Sequence, residues 1–215
     1  MEKFMTPKIK ICGLTKPEEA EYLNQRKVDF AGFVFYEKSR RNVSFREAEE
    51  IGKKLNTEIK KVAVAVSPTV DFAKSAVQAG FDVLQVHGEL RPEILELGIS
   101  VWRAVNITEK NQLDAAFSQE KSWDKNLTGY VMDGAGYGGG KPFDWQGMAE
   151  QIKELAAGKF LILAGGLTAE NVRKGIRYFS PDVVDVSSGV EDGKGKNREK
   201  ILEFVSQVRE TEHLQ

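Results

Sequence analysis

Two groups able to move protons close apolar runs of the sequence: Cys12 at the end of KIKIC and Asp133 at the end of GYVMD. A thiol serves as base or nucleophile only where positive charge or a helix N-terminus favours thiolate. Free cysteine is also among the most buried residue types. Taken alone, Cys12 is a small apolar core residue, and only its place at a strand end turns it toward chemistry. Asp133 precedes a glycine, where aspartate often serves a turn. At the end of a buried strand, however, desolvation raises a carboxyl pKa, and an acid kept protonated near neutral pH can donate a proton. Asp133 is therefore a candidate general acid.

Charge and glycine mark the candidate ligand contacts. YEKSRRNVS places Ser39, Arg40 and Arg41 after another apolar run. Arginine grips a carboxylate through two parallel hydrogen bonds, although surface arginines are commonly left in solvent. LAGGLTAENV and VDVSSGVEDGKGK span the ends of the last two apolar runs. There Gly165 and Gly166 let a phosphate approach the main chain, and Ser187, Ser188 and Gly189 supply further donors. The same residues also suit tight turns. His87 closes VLQVH and reads as a structural group on a buried strand in preference to a catalyst. The segment GAGYGGGKPFDW fits neither nucleotide pattern. Gly134, Gly136 and Gly139 have GxGxxG spacing but run into Lys141 and Pro142 instead of opening a helix, while Ala135 and Pro142 break the Walker pattern. A flap over a site is its functional reading.

Groups so distant in the chain meet only if regular elements carry them together. Apolar runs begin at Lys8, Phe30, Lys61, Val83, Val101, Gly129, Phe160 and Val183, each followed by helix-start chemistry or a period near 3.6. Thr15 and Glu18 have capping-box spacing with Pro17 in the first helical turn, and after the third run Ser67 is the expected cap and Gly80 the stop. Strands alternating with helices predict a parallel sheet covered on both faces. Eight such units over residues 1–215, with no composition break, predict a single (β/α)8 barrel domain, an open doubly wound sheet being the other topology. In such a barrel the chemistry gathers at the C-terminal strand ends, where Cys12, His87, Asp133, Gly165, Gly166, Asp185, Ser187 and Ser188 all fall.

Composition narrows the partners. Lysine and arginine number 31 against 32 acidic residues, so no bulk field attracts nucleic acid or anionic lipid, and an anionic ligand needs a local site. No window reaches the length of a membrane span, and MEKFMTPKIK lacks the apolar core of a secretory signal, which predicts a cytoplasmic protein. One cysteine and two well-separated histidines, His87 and His213, form neither a disulfide nor a local metal motif.

Taken in order, KICGLT, GFVFYEKSRR, LQVHGE, MDGAGYGGGKPFDW, LAGGLTAENV and VDVSSGVE resemble the motifs of the phosphoribosylanthranilate isomerase family of tryptophan biosynthesis, from about Lys8 to Glu191. The resemblance implies a metal-free, cofactor-free Amadori rearrangement of a small phosphoribosyl substrate by a monomer or homodimer. It implies Cys12 as general base and Asp133 as general acid. It places Arg41 on the anthranilate carboxylate, and Gly165, Gly166, Ser187 and Ser188 on the phosphate. Asp185 becomes a ligand-facing carboxylate, with Gln85 and His87 as site lining. One departure is YGGGKPFDW, where the family loop resembles GGTGKTFDW; Gly139 and Pro142 lose two hydroxyls and fix one φ, which bears on flap closure. Two other readings remain. A histidine-pathway phosphoribosyl isomerase would carry an aspartate where Cys12 stands, and a non-catalytic phosphoribosyl-binding barrel would not need both Cys12 and Asp133.

Overall fold

The computed structural model describes residues 6–106, 127–133, 149–150, 152–154 and 156–210. Within them each apolar run is a strand: β1 Lys8–Cys12, β2 Phe30–Phe35, β3 Lys60–Val66, β4 Val83–His87, β5 Ser100–Asn106, β6 Leu127–Asp133, β7 Phe160–Ala164 and β8 Val183–Val186. All neighbours pair in parallel and β8 returns to β1, so the sheet closes into the eight-stranded barrel predicted from the sequence. The described helices are α1 Pro17–Asn24, α2 Phe45–Gly52, α3 Val70–Gln78, α4 Val172–Phe179 and α5 Arg198–Arg209. After β4 stands only a short 3-10 helix, Pro92–Glu96.

Strand alternation sorts the side chains into two cores. Ile9 and Ile11 of β1 join a cluster with helix residues such as Leu23, Ile51, Phe179 and Phe204, which seals helices onto the sheet. The opposite parity, Cys12 with Phe30, Val62, Val64, Val83, Trp102, Val131, Ile162 and Val183, fills the barrel interior. Phe30 and Trp102 meet edge-on at 5.0 Å there, a favoured aromatic geometry. Inward rows that begin apolar thus end polar at the C-terminal rim: Phe30 to Tyr36, Val83 to His87, Val131 to Asp133, Val183 to Asp185.

The helix starts differ in detail from the expectation. At α1 the N-cap is Lys16, and the reaching carboxylate is Glu19, not Glu18: its Oε2 accepts from the N–H of Thr15 at 2.6 Å and of Lys16 at 3.1 Å. Pro17 does open the helix. Glu19 wins because its other oxygen also accepts from the N–H of Lys196 at 2.8 Å, tying the β1–α1 turn to the segment after β8. At α3 the cap is Thr69, whose Oγ1 accepts from the Phe72 N–H, while Ser67 stays in the preceding turn with a left-handed φ of 46° and its Oγ accepts from the Glu89 N–H. Gly80 lies just past the C-cap Ala79 as expected.

Candidate active site

One cleft at the C-terminal rim, of about 350 Å³, gathers Cys12, Arg41, Gln85, His87, Asp133, Gly165, Gly166, Asp185, Ser187 and Ser188, whereas Arg40 and Gly189, also expected as ligand contacts, are not among its lining residues. Tyr36, Ser39, Val34, Val64, Val66, Ala164 and Leu167 complete its walls. The gathering follows from register: in-register neighbours on adjacent parallel strands project to the same face, so Lys10 of β1 stands beside Asp185 of β8, and Cys12 beside Gly32 of β2.

Lys10 and Asp185 form a buried ion pair, Nζ to Oδ2 2.7 Å, beneath the cleft. Burial works against the ammonium, but Asp185 and Cys12 outweigh it and hold the Lys10 pKa above the usual lysine value. Asp185 keeps its second oxygen, Oδ1, buried and without a hydrogen-bond partner among the described residues. Burial pushes the Cys12 thiol up; Lys10 pulls against it, Asp185 adds to it, and Lys196 pulls against it again, which leaves the pKa above that of free cysteine. Gly32 gives the sulfur its space, since a Cβ there would stand 2.8 Å from Sγ. The Ser187 hydroxyl donates to the Cys12 carbonyl at 2.9 Å and joins the β8 end to the β1 end.

Arg41 is not left to solvent. Its Nε and Nη2 donate to the two oxygens of Glu191 at 2.6 and 2.8 Å, a bidentate pair, and Arg40 adds a third contact at 2.6 Å. Lys196 donates to the same carboxylate at 2.6 Å and to Ser187 O and Oγ at 3.2 and 3.3 Å. Burial opposes charge on Glu191, yet Arg41 and Lys196 override it and hold its pKa at about 2. Burial lowers the Lys196 pKa despite this partner.

On the opposite wall Gln85, His87 and Asp133 make no ion pair among the described residues. Gln85 Nε2 lies 3.0 Å from His87 Nε2, and the Gln85 Oε1 is buried without a partner among the described residues. Burial, then Lys10 and Arg103, pushes the imidazole down to about 4, so His87 is neutral at pH 7. Burial, then repulsion from Asp185, raises the Asp133 carboxyl, with Lys10 opposing. On the phosphate side, Gly165 and Gly166 take consecutive left-handed φ values of 84° and 64°, a turn that leaves the main chain uncovered by side chains. Asn171 braces it, accepting from the Thr168 N–H and donating to the Gly166 carbonyl. A 3-10 turn, Ser188–Val190, follows β8.

Three groups that shape this site were missed in the sequence: Lys10, Glu191 and Lys196. Lys10 could have been found by parity, because it shares the inward face of β1 with Cys12. The segment with Gly139 and Pro142, and His213, lie outside the described residues. Among the described residues no three His, Cys, Asp or Glu gather as a metal site, and no helix is long and apolar enough to cross a membrane.

Comparison with known proteins agrees with this geometry. The family model for N-(5'-phosphoribosyl)anthranilate (PRA) isomerase matches residues 9–207. The chain is 38% identical over 209 residues to the N-(5'-phosphoribosyl)anthranilate isomerase of Clostridium acetobutylicum, covering 94% of this chain and 98% of that one. It superposes on mutually generated monomers of dimeric phosphoribosylanthranilate isomerase from Thermotoga maritima with a TM-score of 0.80 at 30% identity, over 95% and 99% of the two chains. A phosphoribosyl anthranilate isomerase in complex with reduced 1-(o-carboxyphenylamino)-1-deoxyribulose 5-phosphate gives a TM-score of 0.80 at 29% identity, over the same shares of the two chains.

Proposed function

The chain belongs to the phosphoribosylanthranilate isomerase family, which converts N-(5-phosphoribosyl)anthranilate to 1-(2-carboxyphenylamino)-1-deoxyribulose 5-phosphate in tryptophan biosynthesis, and from that premise we propose how its own residues divide the work. Asp133 is the general acid and Cys12 the general base. The observation that carries this is the single cleft holding a raised carboxyl on β6 and a thiol on β1, across the barrel from one another.

Protonated Asp133 gives its proton to the ribose ring oxygen as the anthranilate nitrogen lone pair forms a C=N bond at C1′ and the C1′–O bond breaks. The Cys12 thiolate then takes the proton from C2′, the C2′–H electrons neutralise the iminium, and the resulting enolamine tautomerises to the ketone. A thiol pKa raised by burial makes the thiolate a stronger base while lowering its population at pH 7. Arg41 receives the anthranilate carboxylate on the guanidinium edge that Glu191 leaves open. Gly165, Gly166, Ser187 and Ser188 receive the phosphate, Asp185 offers its open oxygen to a ribose hydroxyl, and Gln85 and His87 line the cleft as neutral donors and acceptors.

The rearrangement is redox-neutral and calls on no metal or cofactor. The whole chain works as one barrel domain in the cytoplasm, as a monomer or homodimer; the dimeric Thermotoga relative supports the second. Cys12→Ser and Asp133→Asn test the assignment: each is expected to fold and to lose about 10²–10⁴ of kcat with the defined substrate. Near-normal kcat in either variant removes that residue from its role.

A further inference from the structure

Lys10 has no part in the proton transfers above, yet it is a fully buried ammonium two residues from Cys12 on one strand face. Desolvating an ammonium is costly, and an apolar side chain would fill the interior of a barrel strand without that cost. What holds the charge there is Asp185, in register on β8 and 2.7 Å from Nζ. The flank of Cys12 on β2 is Gly32, which brings no side chain of its own. We propose that Lys10, held in place by Asp185, is a positioning residue whose ammonium supplies the positive charge that lets Cys12 form a thiolate inside the barrel.

Among the described residues, the charged groups acting on the thiol are Lys10 from its own strand, Asp185 from β8, Lys196 from the segment after β8, and Arg41 from the segment after β2. Lys196 and Arg41 are both engaged by Glu191 at 2.6 Å, as Lys10 is by Asp185 at 2.7 Å; what sets Lys10 apart is that it shares the inward face of β1 with Cys12 itself, whereas the other two reach the thiol from loops. Lys10 acts on the thiol more strongly than Asp185 or Lys196 does. This assignment of Lys10 rests on the reading of Cys12 as the base.

Cys12 is the chain's single cysteine, so the pH dependence of iodoacetamide alkylation of the intact protein reads its thiolate alone. Lys10→Met is expected to move the alkylation midpoint upward by about one pH unit, roughly tenfold less thiolate at neutral pH. It is also expected to lower kcat at pH 7, with recovery toward alkaline pH that a merely structural defect would not show. Because Lys10→Met leaves the Asp185 carboxylate buried alone, the doubly neutral Lys10→Met/Asp185→Asn variant is measured beside it. Its midpoint is expected above wild type as well, since the ammonium outweighs the carboxylate at the thiol. A folded variant of either kind that titrates at the wild-type midpoint overturns the proposal. Failure of the base assignment is distinguishable: Cys12→Ser with near-normal kcat would sink that reading while leaving the alkylation shift intact.

Discussion

Around the β8–β1–β2 rim Glu191 takes Arg40, Arg41 and Lys196, and Asp185 takes Lys10, whereas across the cleft Gln85 and His87 share one uncharged contact and the Asp133 carboxyl is raised by burial. Both rims are strand ends of one barrel, and each holds buried polar side chains, Lys10, Asp185 and Lys196 on the first and Gln85 on the second. Where opposite charges are supplied together, ionised groups persist despite desolvation; where they are not, burial drives His87 and Asp133 toward their neutral forms. The outcome is a rim whose carboxylates and cations stay ionised as pairs, facing a rim whose titratable groups are driven toward their neutral forms. Separating titratable groups in this way is how one site holds an acid and a base at the same pH.

The largest effect should come from breaking the charged rim. Asp185→Ala strands the Lys10 ammonium in the barrel interior, and loss of one partner of a buried pair costs about 3–5 kcal/mol. His87→Asn, on the neutral rim, removes one ordinary hydrogen bond worth about 1 kcal/mol. Urea unfolding of both variants measures the contrast, and equal losses would abolish the distinction between the rims.

That contrast also shows what the sequence could and could not convey. Strand identity was legible because a parallel sheet covered on both faces makes each strand a short, nearly continuous apolar run, and the closing of β8 on β1 follows from eight units of one kind. Cys12, Asp133, Arg41, Gly165, Gly166, Ser187 and Ser188 were legible because they end or follow those runs. Lys10 was hidden inside an apolar run, where one charge reads as an interruption until the register sets it beside Asp185. Glu191 and Lys196 lay in a loop, VEDGKGKN, with no periodicity to assign them a direction, and only the fold turns both onto Arg41 and Ser187. Thr15 and Ser67 were plausible caps displaced by neighbours, since capping is decided by local geometry one or two residues away.

A smaller perturbation tests how tightly the charged rim places its sulfur. A methyl group from Gly32→Ala would lie 2.8 Å from Cys12 Sγ and 3.0 Å from Cys12 Cα, so the thiol must move. Overpacking of this kind costs about 1–3 kcal/mol, and a shift of about 1 Å in a reacting group costs about 10²-fold in rate. Steady-state kinetics should show kcat falling with KM little changed. If kcat is retained, the position of the sulfur is not what Gly32 secures.

Glu191→Gln comes next in size. It keeps the shape but removes the charge that fixes the Arg41 fork, so KM is expected to rise about tenfold, ~1.4 kcal/mol, with kcat nearly unchanged. A fall in kcat without a change in KM would mean that Glu191 acts on the Cys12 side through Lys196, not on carboxylate binding through Arg41.

At neutral pH the smallest effect is in stability, and it separates the rims by pH window. His87 takes its proton at 6.5 when unfolded but only near 4 when folded. Between those values the unfolded state binds more protons, so the neutral rim's contribution is complete above about 6.5 and is lost as pH falls toward 4. Glu191 is ionised in the folded state down to about 2, against 4.5 when unfolded, so its contribution is complete above 4.5 and is lost as pH falls through 2. Both slopes have the same sign but lie in adjoining windows. Denaturant midpoints measured from pH 7 to pH 2 should therefore flatten in the upper window for His87→Gln and in the lower window for Glu191→Gln. A flattening in the wrong window for either variant would show that the two rims are electrostatically one.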